Sequence, residues 1–133
     1  MALTVLDASI VIAILDSEDV HHAAARAGLA SRLDALDTFV LPVSAYAETL
    51  VGAFRSGEAA VATVESFIDA LPARIEPATP VIGRSAARLR AKHGGRMPLP
   101  DAFVVATALE LRAERVLTTD RRWPAVGVRV EVL

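Results

Sequence analysis

Four acidic residues stand where a carboxylate could do chemistry: Asp7, Glu48, Asp101 and Asp120. Asp7 ends the run TVLD and Asp120 ends the run LTTD, so each follows a predicted strand. Asp101 opens the apolar segment DAFVVATALE, and Glu48 lies inside the segment VSAYAETLVGAF. Carboxylates gathered in one place repel one another and burial raises their pKa values, whereas a divalent cation removes both penalties. Together the four residues predict a metal site with oxygen ligands.

Each of these acids also has a structural interpretation when it is taken alone. Asp7 could cap the short helix that follows it, and Asp120 could cap a turn. Asp101 stands at a predicted helix start, where a negative charge interacts favourably with the helix dipole. Glu48 could be an ordinary surface glutamate. The metal-site hypothesis therefore depends on all four residues meeting at one end of the fold.

The composition indicates which metal such a site would take. The chain has no cysteine, and its three histidines do not show the spacing of a metal-binding pair. Oxygen-only ligation favours Mg²⁺ or Mn²⁺ over Zn²⁺, so we expect Mg²⁺ with Mn²⁺ as a substitute. We expect His21 and His22, in an Ala-rich stretch, to be exposed to solvent. His93, near a predicted helix end, could interact with the helix dipole or with phosphate.

Short strands alternate with helices along the chain. Strands are predicted at residues 3–7, 39–42, 73–78, 114–120 and 128–133, with helical segments between them. This alternation predicts an α/β fold with a central, mainly parallel sheet and helices on both faces, in three α/β/α layers. No linker or repeat divides the sequence, so residues 1–133 are predicted to form a single domain. In such folds the site lies beyond the carboxyl ends of the strands, where Asp7 and Asp120 stand.

Charge is unevenly distributed along the sequence. Residues 1–83 hold four Arg and eleven Asp or Glu, a balance of −7, whereas residues 84–133 hold nine Arg, one Lys and five acids, a balance of +5. A basic C-terminal half is typical of a protein that binds a polyanion. A genome rich in G and C, which favours Arg codons, is the alternative explanation.

Two further features bear on the cellular location. No apolar run approaches the roughly 20 residues that a membrane-spanning helix needs. The first residues, MALTVLDASIVIAIL, lack the basic region and the cleavage site of a signal peptide. We therefore expect a cytoplasmic protein with no membrane association.

Four sequence blocks resemble those of PIN-domain ribonucleases, specifically the VapC toxins of bacterial toxin–antitoxin pairs. The blocks are LDASIVIAIL, SAYAETL, PLPDAFVVATALE and LTTDRRW, in that order and over nearly the whole chain. The resemblance implies a PIN-like fold and a small hydroxyl supporting the site at Ser9 and at Thr118, and it makes Thr107 structural. It implies that catalytic and metal-binding roles belong to the four acids, Asp7, Glu48, Asp101 and Asp120.

The same resemblance implies a function. The protein is expected to be a Mg²⁺-dependent endoribonuclease toxin that hydrolyses RNA phosphodiester bonds, forms a homodimer and is neutralised by a small VapB-like antitoxin. Arg96, Arg121 and Arg122, which flank the site acids, are expected to bind RNA phosphates. Many relatives carry a further acid where this chain has Arg122. One tightly held metal ion is therefore expected, rather than two.

Two other functions stay open on the residues alone. A phosphoaspartate-type phosphatase also places an aspartate at a strand end, but it usually needs a second aspartate two residues on, where this chain has Ser9. A metal-binding interaction module without catalysis would use the same acids, because nothing in the sequence proves turnover. A cleavage assay that depends on Mg²⁺ and is inhibited by EDTA separates both from a nuclease.

Overall fold

A computed structural model describes residues 2–133, in which short strands alternate with helices. The strands of this part of the chain are β1 (Leu3–Leu6), β2 (Thr38–Pro42), β3 (Ala73–Glu76), β4 (Arg115–Thr118) and β5 (Arg129–Val132). The α-helices are α1 (Ala8–Leu15), α2 (His22–Asp34), α3 (Val43–Ser56), α4 (Glu58–Ala70), α5 (Pro80–His93) and α6 (Leu99–Glu110). A short 3₁₀ turn, Gly94–Arg96, joins α5 to α6.

All five strands pair in parallel, in the order β3-β2-β1-β4-β5. Strand β1 is central, and its Val5 lies opposite Val40 of β2 and Val116 of β4. The prediction of a mainly parallel sheet with flanking helices is confirmed. Because parallel strands end at the same edge of the sheet, the ends of β1 and β4 bring Asp7 and Asp120 to neighbouring positions.

Helix α6 explains why the segment after Pro98 is apolar on nearly every side. Its residues Val104 and Ala108 belong to the main core, which lies between the sheet and helices α1 to α4. Its residues Ala102, Val105 and Ala106 belong to a second core shared with α5. Helix α6 is therefore sandwiched between the sheet and α5, and it presents Asp101 from its first turn at the edge of the sheet.

A buried ion pair lies at the opposite edge of the sheet, where the strands begin. Nη1 of Arg115, the first residue of β4, donates to Oδ2 of Asp37 at 2.7 Å and to Oγ1 of Thr4 at 3.1 Å. The Thr4 hydroxyl in turn donates to the same Asp37 oxygen at 2.8 Å. Since Arg115 and Asp37 are only 7% and 4% exposed, this network ties β1, β2 and β4 together within the core.

None of the helices described between residues 2 and 133 has the length and apolar character needed to cross a membrane.

Candidate active site

A cavity of about 650 Å³ opens at the edge of the sheet where the strands end. The loops after β1 and β4 bring Asp7 and Asp120 to it, while helices α3 and α6 bring Glu48 and Asp101. All four acids predicted as site residues therefore line one cavity, although they lie up to 113 positions apart in the sequence. Their catalytic and metal-binding roles stay predictions.

Asp7 is the most buried of the four acids, at 5% exposure. Its Oδ2 atom accepts hydrogen bonds from the hydroxyls of Ser9 and Thr118, each at 2.8 Å. Its side chain makes no capping bond to α1, so the capping explanation does not account for it. Burial raises the pKa of Asp7, and the two hydroxyl bonds oppose that rise. Ser9 and Thr118 thus hold this carboxylate in place, while their role as supporting residues of a site stays a prediction.

Asp101 and Glu48 extend the negative charge around Asp7. Burial, and then the charge of Asp7, raise the pKa of Asp101 to about 6. The Trp123 indole, whose Nε1 donates to Oδ2 of Asp101 at 3.3 Å, acts in the opposite direction. Burial and the charge of Asp7 also raise the pKa of Glu48. In residues 2–133 none of these three carboxylates forms an ion pair, so no direct contact with a cation offsets their mutual repulsion.

Asp120 differs from the other three because it has a cation of its own. Its Oδ1 accepts from the backbone N–H of Arg122 at 2.8 Å, which is the turn-capping contact considered from the sequence. The Arg122 guanidinium pairs with both carboxylate oxygens, at 3.1 and 3.0 Å. These bonds lower the pKa of Asp120. Arg122 therefore neutralises one wall of the cavity.

The four acids fit a divalent cation in their chemistry. Three unneutralised carboxylates with raised pKa values form the oxygen-rich donor set that Mg²⁺ prefers. As the side chains stand, no three His, Asp or Glu residues between positions 2 and 133 are arranged to hold one ion. Binding would therefore require side-chain rotation, and Asp120 could contribute only after it leaves Arg122.

Histidine 21 is a cavity residue that the sequence did not indicate. It is half-buried and lines the acidic cavity, so the expected solvent exposure is wrong for it. A turn holds it there, in which its backbone N–H donates to Oδ1 of Asp19 at 2.8 Å. His22 is also half-buried, because its Nδ1 lies 2.8 Å from the carbonyl oxygen of Ala13 and fixes α2 against α1. The turn at Asp19 is a common local pattern, but the position of His21 in the cavity wall and the contact of His22 with Ala13 depend on how the loop folds back.

The three arginines expected at the site are placed differently. Arg121 and Arg122 line the acidic cavity. Arg96 is exposed in the 3₁₀ turn before α6 and lies outside the cavity wall. Thr107, expected to be structural, is buried and donates to the carbonyl oxygen of Phe103 at 2.7 Å within α6.

The fold and the cavity define an α/β protein with an acidic site at the carboxyl edge of a parallel sheet. The sequence matches the model of the PIN domain over residues 4–128, and the chain therefore belongs to the PIN domain family. No protein with a curated description matches the sequence.

Several solved structures share the fold and belong to VapBC toxin–antitoxin systems. A VapC toxin of Mycobacterium tuberculosis, described as cleaving the sarcin-ricin loop, is 19% identical with a TM-score of 0.71, over 85% of this chain and 86% of that one. A VapBC complex of Rickettsia felis bound to promoter DNA is 15% identical with a TM-score of 0.73, over 98% of both chains. A DNA-bound VapBC complex of Salmonella typhimurium is 20% identical with a TM-score of 0.72, also over 98% of both.

Proposed function

We propose that this chain is a VapC-like toxin, a cytoplasmic Mg²⁺-dependent endoribonuclease that hydrolyses RNA phosphodiester bonds. The observation that carries the proposal is the group of three carboxylates, Asp7, Glu48 and Asp101, which share a cavity and are not neutralised by any ion pair within residues 2–133. Such clusters of perturbed carboxylates in a cleft are typical of functional sites. Two comparisons support the same activity. The chain belongs to the PIN domain family, and one structural neighbour is a VapC toxin described as cleaving the sarcin-ricin loop.

The contacts in the cavity suggest a role for each residue of the site. Asp7, Glu48 and Asp101 would hold Mg²⁺, and Asp120 would join them after leaving Arg122. When bound, the ion supplies a water of lowered pKa and neutralises developing charge on the phosphate. Ser9 and Thr118 keep Asp7 oriented through their two 2.8 Å bonds, and Trp123 orients Asp101. The expected products carry 5′-phosphate and 3′-hydroxyl ends.

The cationic wall of the cavity would hold the substrate. Arg121 and Arg122 are exposed beside the acids, where they could pair with phosphates on either side of the bond that is cut. Arg122 would exchange the Asp120 carboxylate for a phosphate as the carboxylate moves to the metal. His21, on the same wall, is a further candidate for contact with the RNA backbone.

A groove beside the site supports regulation by an antitoxin. It has a volume of about 520 Å³ between α1, α3 and α4, and apolar side chains such as Ile12, Leu15 and Val64 line it. An amphipathic helix fits a groove of this kind. Glu48 lines both the groove and the acidic cavity, so a basic residue at the end of such a helix could reach the carboxylates and exclude the metal. The structural neighbours that are toxin–antitoxin complexes support this part of the proposal.

A homodimer is the remaining part of the proposal. Helix α3 exposes Val43, Val51 and Phe54 along one side, away from the core that its other face fills. An exposed apolar stripe of this kind marks an interaction surface. A second copy of the chain is the partner that we expect there.

Cleavage of RNA by the purified chain tests the proposed activity. With Mg²⁺ we expect cleavage that EDTA stops and that added Mn²⁺ restores, and sequencing of the new 5′ ends would identify the RNA. A chain that binds Mg²⁺ but cuts no RNA would favour the non-catalytic interaction module. Release of phosphate from phosphomonoesters without RNA cleavage would favour the phosphatase alternative.

Co-expression with the adjacent small open reading frame tests the antitoxin. We expect its product to co-purify with this chain and to suppress cleavage. If it does neither while the purified chain still cuts RNA, the toxin–antitoxin assignment is wrong and the nuclease assignment stands.

A further inference from the structure

The segment from residue 77 to residue 100, which contains α5, differs from the rest of the chain in its charge. It holds five of the fourteen Lys and Arg residues and none of the sixteen Asp and Glu residues. A codon bias toward Arg would account for the cations but not for the lack of acids. The cations are Arg84, Arg88, Arg90, Lys92 and Arg96.

Helix α5 sorts its residues into a buried face and a basic face. Ile82, Ala86 and Leu89 are buried against α6 in the second core. Arg84, Arg88 and Lys92 follow one another at intervals of four residues, so they lie on one exposed side of the helix over about 12 Å. Within residues 2–133 none of the three forms an ion pair. Like charges at this spacing repel one another, and of the three only Lys92, in the last turn, interacts favourably with the helix dipole.

A small cavity lies between this basic face and the loop after β4. Its volume is about 210 Å³, and Arg88, Lys92 and His93 line one side. Residues 125–127 line the other side. They belong to the loop after β4, which also contains Arg121 and Arg122 in the wall of the acidic cavity. This loop, whose residues 123–127 carry no charge, therefore joins the cations at the acidic cavity to the basic face of α5.

We infer that the basic face of α5, with the cavity against residues 125–127, binds the sugar–phosphate backbone of the RNA on one side of the cleaved bond. This inference rests on the proposed function and adds the surface that holds the substrate. Cations without acidic partners match a polyanion better than they match a folded protein surface. Since the segment from residue 77 to residue 100 contains no Phe, Tyr or Trp on which a base could stack, the contact would read the backbone and not the bases.

Salt dependence of RNA binding tests the inference, because each phosphate contact releases counterions. The probe is a short unstructured single-stranded RNA with a fluorescent end. The protein is the full-length Asp101→Asn chain, because this change is expected to prevent cleavage of the RNA during the measurement. The test variant adds Arg84→Gln, Arg88→Gln and Lys92→Gln. A matched control adds Arg26→Gln, Arg55→Gln and Arg74→Gln, which remove three exposed cations on α2, α3 and β3, none of which lines the cavity beside α5.

We expect the α5 variant to bind RNA more weakly and to have a shallower plot of log Kd against log salt, by about 0.7 for each lost contact, or roughly 2 for three. The control variant should keep most of the parental slope. Equal losses in the two triple variants would show a general effect of net charge and would overturn the inference. Unchanged RNA binding by the α5 variant, with weaker co-purification of the antitoxin, would assign the face to the protein partner and overturn it as well.

The same proteins separate this inference from the proposed function. The α5 changes in an otherwise unmodified chain should raise KM for RNA at least several-fold and leave kcat within about twofold, because they remove binding that is equal in ground state and transition state. If the unmodified chain cuts no RNA with Mg²⁺ but the α5-dependent salt slope persists, only the proposed nuclease activity fails. If it cuts RNA and the slope does not depend on α5, only the present inference fails.

Discussion

The two edges of the sheet each bury charge, and they treat it in opposite ways. At the edge where the strands begin, Asp37 has the Arg115 guanidinium at 2.7 Å and the Thr4 hydroxyl at 2.8 Å. At the edge where the strands end, Asp7 is equally buried but has only the hydroxyls of Ser9 and Thr118 as hydrogen-bond partners from side chains. Strands β1 and β4 contribute to both clusters, so the difference does not come from the backbone.

The difference shows which buried charges serve the fold and which serve a ligand. A carboxylate matched by a buried guanidinium is satisfied within the chain, and removing one partner leaves the other uncompensated. A group of carboxylates without a cation is destabilised by burial and repulsion, and it persists because something outside the chain completes it. The strand-end cluster, Asp7, Glu48 and Asp101, therefore has the electrostatic character of a binding site. The strand-start cluster, Thr4, Asp37 and Arg115, has that of a structural anchor.

The largest expected effect comes from neutralising the strand-end cluster. Asp101→Asn keeps the shape and an oxygen that can accept from Trp123, but it removes the charge. Since loss of a group that merely supports a metal ligand costs about 10–100-fold in activity, loss of a ligand should lower RNA cleavage by more than roughly 100-fold. Without divalent ions, the melting temperature should be unchanged or higher because repulsion is relieved.

Glu110→Gln is the matched control for that change. Glu110 is exposed at the last turn of the same helix, and it is not a wall residue of the acidic cavity. We expect it to retain full activity. If Asp101→Asn, at equal purity, kept most of the cleavage activity, the site assignment would be wrong.

Breaking the strand-start cluster should lower stability and leave RNA cleavage unchanged, which is the reverse of the effect of Asp101→Asn. Arg115→Met leaves Asp37 buried without its main cation, and loss of one partner of a buried pair costs about 3–5 kcal/mol of folding free energy. The additional change Asp37→Leu should recover most of that loss, because apolar replacement of both partners is often close to neutral. Urea denaturation measures the two free energies, and cleavage per folded molecule should stay near the parental value. If Arg115→Met alone were as stable as the unmodified chain, the contrast between the two edges would be lost.

Metal binding should stabilise the chain through the strand-end cluster alone. At 100 times its Kd, a ligand that binds only the folded state adds about 2.7 kcal/mol. We therefore expect Mg²⁺ to raise the melting temperature of the unmodified chain and of Arg115→Met by similar amounts, and to raise that of Asp7→Asn much less. Thermal denaturation with EDTA and with a Mg²⁺ series measures the shifts. Equal shifts in all three proteins would place the ion elsewhere.

Much of this organisation could be predicted from the sequence because it follows local patterns. The apolar run of β1 predicts a strand, and the alternation of strands and helices predicts parallel pairing, so Asp7 and Asp120 were expected at one edge. Convergence of Glu48 and Asp101 on the same edge followed from the order of strands and helices and from the resemblance to PIN-domain sequences. The apolar character of α6 likewise indicated an element buried on nearly every side.

What the sequence could not predict depends on how the loops fold and on contacts between distant residues. Nothing in the pattern around His21 indicates that a turn at Asp19 places it in the cavity wall. The pairing of Asp37 with Arg115 joins residues 78 positions apart, and neither lies in a recognisable motif. Arg122 was expected to bind RNA, but its pairing with Asp120 became visible only in the folded loop. Where a turn places a side chain, and which distant residues meet, is set by tertiary packing, which residue spacing does not encode.

The smallest expected effect is a pH dependence of stability that belongs to one edge of the sheet. The pKa of Asp101 is raised from 3.8 to about 6 in the folded chain, so the folded state holds a proton that the unfolded state has released. Its contribution to stability is fully present below about pH 4 and is lost as the pH rises through 6. Asp7 and Glu48, whose pKa values are also raised, act in the same direction. The pKa of Asp120 is lowered, and its opposite contribution changes only at a pH below this window.

In EDTA, Asp101 should therefore make the unmodified chain more stable at pH 5 than at pH 7. A full unit of pKa shift is worth 1.36 kcal/mol, and because Asp101 is only half-buried, solvent screening reduces its share to about 1 kcal/mol. Urea denaturation at the two pH values should show that Asp101→Asn loses this share, while Glu110→Gln keeps it. Saturating Mg²⁺ should reverse the trend, because the ion binds the deprotonated carboxylates. If Asp101→Asn showed the same difference in stability between pH 5 and pH 7 as the unmodified chain, the strand-end carboxylates would not repel one another. The contrast with the paired charges at the other edge would then be lost.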